Sequence, residues 1–237
     1  MNRTAVVGIS GIFPGALSLE QFIRNIMDKK ECVIDIPDDR WVVRPEDAIS
    51  SDYRPDTACS RKAGLVTGFE FDPDGFLIDK NILNELDPMH HMVLHAGREA
   101  LSQCFCDQDI KKRAGVVLAS IALPTQKSSE LAWQIIMEGK RPQHSGSLLS
   151  GKDALAAGML SVPGALLARS MGLMGGSFTL DAACASSLYA IKIACEQLHS
   201  GKADMMVAGG VSRPDSLYTQ IGFPCSMSTG FPPPSSR

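Results

Sequence analysis

No apolar run in the 237-residue sequence approaches the roughly 20 residues that a membrane-spanning helix needs. Neither charge is in excess: 23 Lys and Arg stand against 26 Asp and Glu, a formal net charge of −3. That slightly acidic balance gives no general electrostatic reason to bind nucleic acid or an anionic membrane. The N-terminus, Met1 to Gly11, reads as a strand running into a Gly turn and not as a secretory signal. The seven cysteines, at 32, 59, 104, 106, 184, 195 and 225, are odd in number and follow no regular framework. A reducing cytoplasm is therefore expected. Cys104 and Cys106 form a Cys-x-Cys pair, but no second ligand pair stands at a spacing suited to tetrahedral zinc, so free thiols are expected there. There is no internal repeat.

What is present suits an ordinary folded domain. Hydrophobic residues make up 44% and charged residues 21%, which excludes a wholly disordered chain. The length allows one large domain or two small ones with a substantial core. Thr4–Ile9 and Arg113–Ser120 are continuous small and β-branched runs, the mark of buried strands. Leu19, Phe22, Ile23 and Ile26 fall at helical spacing and predict a short amphipathic helix over Leu19–Met27. Ile34–Pro73 is broken by Pro, Asp and Arg clusters and predicts loops with short strands. Asp87-Pro88 supplies an N-cap and a first-turn proline for a helix through Leu101. Further on, a helix over Ala165–Met171 closed by Gly172, a strand at Ser177–Asp181, a helix from about Cys184 to Ser200 stopped by Gly201, and a strand at Met205–Ala208 follow one another. Alternating strands and helices with short Gly connections predict an α/β layered sheet.

The informative stretch runs from Gly176 to Ala190 and holds Asp181-Ala182-Ala183-Cys184-Ala185-Ser186-Ser187-Leu188. A β-prone run reaches an aspartate, passes two alanines and sets a cysteine where a helix begins. Leu188, Ile191, Cys195 and Leu198 form one apolar stripe on that helix, and Gly201 fits its C-terminal cap. A thiol at a helix start meets unpaired backbone N–H groups and the positive end of the dipole, both of which favour thiolate. The same N–H groups can hold the oxyanion formed when a thioester is attacked. The small residues at 182, 183 and 185 leave room for a substrate. On these residues alone, two readings of Cys184 stand: a nucleophile, or a small buried hydrophobe, since no His or Asp neighbour identifies a base.

The pattern Asp-Ala-Ala-Cys-Ala-Ser-Ser-Leu resembles the nucleophile motif of the β-ketoacyl synthases, the condensing enzymes of fatty-acid and polyketide synthesis. Val6 to Gly15 is similar to that family's opening strand and loop, and Pro37-Asp38-Asp39-Arg40-Trp41 to its early Arg-Trp segment. Phe69-Glu70-Phe71-Asp72, the helix opened by Leu86-Asp87-Pro88, and Ala208-Gly209-Gly210-Val211 continue the likeness in order over residues 4–223. The resemblance implies a thiolase-like fold of α/β/α/β/α layers, of which this chain is the N-terminal half, and pairing as a homodimer. It implies transfer of an acyl group from acyl carrier protein onto Cys184, then decarboxylative Claisen condensation with a malonyl thioester. No metal or redox cofactor is implied, because loss of CO₂ from malonyl generates the carbanion. The flavour of the motif, with Ser212-Arg213-Pro214-Asp215 after it, resembles large modular synthases of the polyketide or polyunsaturated-lipid type.

The family also carries two histidines, in His-Gly-Thr-Gly-Thr and Asn-x-Lys-x-x-x-Gly-His motifs, and neither motif occurs in these residues. The five histidines are 90, 91, 95, 144 and 199. His91 and His95 stand four apart but lack the glutamate of a zinc-protease helix, and the resemblance makes their helix structural. His199 is expected to favour the negative end of its helix and His144 to be solvated. The likeness stops after Phe223, and residues 224–237 form a divergent Pro/Ser-rich tail. The expectation is a truncated or frameshifted ketosynthase whose cysteine is acylated without condensation. The alternative is a non-catalytic dimerisation or carrier-docking module; a complementing half-protein is a third reading.

Overall fold

The computed structural model describes residues 3–41, 43–50, 57–121, 162–212 and 217–222. At its centre is a three-stranded parallel sheet of β3 (Ala114–Ser120), β4 (Ser177–Leu180) and β5 (Met205–Val211), in the order β4-β3-β5. The register sets Val116 beside Ser177 on one side and Val207 on the other. All seven residues of β3 are buried, as its unbroken apolar run predicts for a strand covered on both faces.

The pleat divides β3 between two cores. Val116 and Leu118 join Leu94 and Val93 of α4 (Pro88–Ser102) and Leu166 and Leu167 of α6 (Val162–Met171). Val117 and Ala119 face Ala190 of α7 (Ser186–His199). Helices α4 and α6 approach closely because Gly97 lacks a side chain: a Cβ there would lie 2.4 Å from Leu167 Cδ1. Each fully buried Val or Leu on this strand contributes roughly 1.5–3 kcal/mol, so β3 is the mechanical centre of the molecule.

The predicted ends hold well. Asp87 accepts from the Met89 N–H at 2.9 Å with Pro88 at the first helical position, and α4 runs to Ser102. Gly201 closes α7 at φ +69, and Gly172 follows α6 at φ +72, left-handed geometry that glycine adopts without cost. The Ile34–Pro73 stretch does contain short strands. β1 (Val33–Asp35) pairs antiparallel with β2 (Lys62–Gly64), and Ile36, Trp41, Ala48, Ala58, Ala63 and Leu65 form a separate small core. Arg98 ties the following loop to α4 by donating to the carbonyls of Asp72 (3.1 Å) and Asp74 (2.7 Å).

Two expectations are corrected. Thr4–Ile9 is not a buried strand: among the described residues it pairs with no strand, and Val6 is 82% exposed. A β-prone run needs a ladder partner, and this one has a side chain instead. Gln103 accepts from the Ile9 N–H and donates to the Ile9 carbonyl, at 3.1 and 2.9 Å. The amphipathic helix α1 (Leu19–Met27) forms, capped by Ser18, but Ile23, Ile26 and Met27 remain exposed. Its Phe22 stacks on Phe13 at 3.9 Å between ring centroids. Three further helices, α2 (Pro45–Ala48), α3 (Lys80–Asn84) and α5 (Gln108–Lys112), are short connectors, and α8 (Leu217–Gly222) follows β5.

Candidate active site

Strand β4 ends at Leu180, and the chain turns through Asp181 and Ala182 into a 3-10 turn, Ala183–Ala185, before α7 begins at Ser186. Cys184 sits in the middle of that turn, with Ala185 at the N-cap position; the helix expected to start at about Cys184 starts two residues later. The thiol is exposed, which removes the reading of Cys184 as a buried hydrophobe.

The turn is held by side chains on either side of the cysteine. Asp181 Oδ1 accepts from the Ala183 N–H at 2.9 Å. The buried Ser186 hydroxyl accepts from the Ala182 N–H at 2.8 Å and donates to the Ala183 carbonyl at 2.7 Å. Between these bonds Ala183 takes φ +50, in the left-handed region. For a residue with a Cβ that conformation costs roughly 1–2 kcal/mol, and the surrounding bonds must supply it.

The first half of the apolar stripe on α7 faces outward, while Cys195 and Leu198 are half-buried. Leu188 is 71% and Ile191 is 51% exposed, whereas Ala190 and Ala194 are buried against the sheet. Small residues let the helix lie close to the strands: a Cβ on Gly210 of β5 would meet Ser187 Oγ at 2.6 Å. The helix therefore exposes a ridge with Cys184, Leu188 and Ile191 one turn apart along it.

The described histidines stand elsewhere. His90 is fully buried on α4 and its pKa is lowered to about 4, first by loss of hydration and then by the adjacent His91, against the opposing pull of Asp87. His91 stacks on Phe71 at 4.3 Å and donates Nε2–H to the Leu83 carbonyl at 2.7 Å. His95 meets Phe69 edge-on. His91 and His95 are thus ring-packed, in keeping with a structural helix. His199 at the end of α7 is hydrogen-bonded to Thr4 Oγ1 at 2.9 Å. His144, residues 213–215 and the tail 224–237 lie outside the described residues.

Among the described residues no group of three or more His, Cys, Asp or Glu side chains is placed to hold a metal ion. Cys104 and Cys106 are free and half-buried, and burial, with Cys104 beside it, raises the Cys106 thiol pKa. No helix among the described residues is long and apolar enough to cross a membrane. Sequence reasoning missed Asp181 and Ser186 as holders of the turn. Their spacing around the cysteine, one three residues before and one two after, was the available signal.

A parallel α/β sheet that delivers an exposed cysteine on a strand-to-helix turn defines the class: an α/β protein with an accessible thiol at the end of its central sheet. The chain belongs to the beta-ketoacyl synthase family, whose model "Beta-ketoacyl synthase, N-terminal domain" matches residues 1–225. It is 31% identical over 226 residues to one component of the phenolphthiocerol/phthiocerol polyketide synthase of Mycobacterium tuberculosis, covering 92% of this chain and 11% of that protein. Polyketide synthase ThaG of Burkholderia thailandensis is 27% identical over 220 residues, covering 89% of this chain and 4% of that protein. The solved PfaC keto synthase–chain length factor superposes with a TM-score of 0.78 at 30% identity, covering 92% of this chain and 25% of that one. The oxazolomycin ketosynthase domain OzmH KS7 of Streptomyces albus JA3453 matches in fold, with a TM-score of 0.72 at 24% identity, covering 92% of this chain and 36% of that one. The fold is thus the thiolase-like one, in a family of condensing enzymes, and the chain spans a small fraction of its relatives' length.

Proposed function

We propose that this chain is the acyl-accepting part of a β-ketoacyl synthase acting in polyketide or fatty-acid chain elongation, with residues 1–223 as its ketosynthase region and 224–237 as a divergent tail. The observation that carries this is the exposed thiol of Cys184 on the clamped turn between β4 and α7. The thiolate attacks the carbonyl carbon of an acyl thioester carried on the phosphopantetheine arm of acyl carrier protein. The tetrahedral oxyanion collapses, the arm's thiolate leaves, and the acyl group remains on Cys184. In the elongation that follows, a malonyl thioester loses CO₂, its enolate carbon attacks the acyl-cysteine, and the cysteine thiolate is released. That half needs donors to stabilise the enolate, and neither histidine motif that serves it in the family is found in these 237 residues. The chain by itself therefore accepts an acyl group and does not condense. Its partner is acyl carrier protein, it pairs as a homodimer within a complete enzyme, and it works in the cytoplasm.

The test is incubation with an acyl thioester followed by intact-mass measurement. One acyl group per chain is expected, absent from Cys184→Ala, with no ketoacyl product when a malonyl thioester is added. Acylation that survives Cys184→Ala, or condensation by the isolated chain, overturns the proposal. Carrier protein bound with no thiol acylation would favour the non-catalytic docking module instead.

A further inference from the structure

We propose that Ser186 is a positioning residue for Cys184, its hydroxyl holding the turn in the left-handed conformation that presents the thiol. The proposal rests on Cys184 being the acyl acceptor, and deepens that reading by naming what keeps it in place. A helix-initiating serine ordinarily accepts from an amide ahead of it in the chain, in the helix's first turn. Ser186 does the reverse: it reaches back four residues to the Ala182 N–H and three to the Ala183 carbonyl, at 2.8 and 2.7 Å. It thereby ties the Asp181–Ala182 peptide, through its N–H, to the Ala183–Cys184 peptide, through its carbonyl, across the Ala183 Cα, where φ is +50. Both bonds are part-buried and Ser186 itself is buried, so water does not replace them without cost when they are lost. Asp181 takes the Ala183 N–H from the other direction. Without the hydroxyl, Ala183 relaxes toward negative φ, and because the torsions at 183 immediately precede Cys184, the thiol swings with it.

The measurement is the alkylation rate of Cys184 by iodoacetamide in the full chain, followed by peptide mass, with Cys195 on the same helix as an internal reference. Ser186→Ala is expected to slow Cys184 about tenfold, the effect of two lost hydrogen bonds of ordinary strength, and to leave Cys195 unchanged. Ser186→Thr, which keeps the Oγ, should stay within about twofold of the parent chain. Ala183→Gly added to Ser186→Ala should recover most of the loss, since glycine adopts φ +50 unaided. Equal Cys184 rates in Ser186→Ala and the parent overturn the proposal, as does a loss that neither Ser186→Thr avoids nor Ala183→Gly repairs. If Ser186→Ala alone unfolds, seen as fast alkylation of Cys195, the same pair of rates is measured in the Ala183→Gly background. There, removing the Ser186 hydroxyl should cost less than about threefold, and a tenfold loss overturns the clamp. Failure of the acyl-acceptor reading shows separately, as an unacylated Cys184 in the parent chain.

Discussion

The two faces of β3 are covered by layers of different character. On one, α4 and α6 bring Leu94, Val93, Leu166 and Leu167 against Val116 and Leu118, and the contact is closed. On the other, α7 brings Ala190 and Ala194 toward the sheet beside Val117 and Ala119, with Ile193 partly buried against them, and leaves Leu188, Tyr189 and Ile191 exposed. The first layer is built for stability, since bulky side chains remove the most apolar area from water. The second is built for proximity: alanines let the helix sit low on the sheet, which brings its first turn, and the cysteine ahead of it, to the end of β4. The proposed site stands on the layer that contributes less burial.

The largest effect is expected at Leu94, which is 0% exposed. Leu94→Ala should destabilise the chain by about 2–5 kcal/mol, read as a lowered urea midpoint, while Cys184 alkylation in the still-folded protein is unchanged. A loss below about 1 kcal/mol would mean that the α4 layer is not the stabilising one.

The same layer should also carry a pH dependence. Among the described residues neither ring nitrogen of buried His90 has a hydrogen-bond partner, and its pKa stands at about 4 against the ordinary 6.5. The unfolded chain therefore binds a proton between these values that the folded chain does not. The stability this histidine permits is complete above about pH 6.5, falls as pH drops toward 4, and levels off below. The loss is on the order of 3 kcal/mol. Urea midpoints at about pH 7 and about pH 4.5 should diverge in the parent chain and draw together in His90→Leu; an unchanged divergence would locate the titrating group elsewhere.

The smallest effect belongs to the outer face of α7. Leu188→Ala in this chain should change stability by less than about 0.5 kcal/mol, because the side chain is already 71% exposed. A loss of about 2 kcal/mol or more would show that this ridge is covered in solution, by another copy or another part of the fold.

Much of this was legible in the residues. The unbroken apolar run of β3, the Asp87-Pro88 start of α4 and the Gly201 stop of α7 each carry a local physical cause, and each appears where expected. Which face of α7 is buried was not legible. Periodicity identifies an apolar stripe, but it does not tell whether the chain holds something to cover it. Here the small residues, ranked low by any hydrophobic count, win the contact with the sheet. Thr4–Ile9 failed for a related reason: β propensity describes a surface that fits a neighbour and supplies no neighbour. At the candidate site, Cys184 stood out in the sequence by its company of small residues, whereas nothing in the sequence singled out Ser186. Its two backward hydrogen bonds exist only once the turn has formed.

The tether of the N-terminal segment has a consequence in time. Thr4 is held by His199, 195 positions later, and Ile9 by Gln103, 94 positions later. Gly8 lies so close to α4 that a Cβ there would fall 2.0 Å from the Ala100 carbonyl oxygen, so the segment docks only against a finished helix. At a synthesis rate of about 5–20 residues per second, the residues made first wait roughly 10–40 s for the last of these partners to leave the ribosome. The beginning of the chain is thus among the last pieces to find its place.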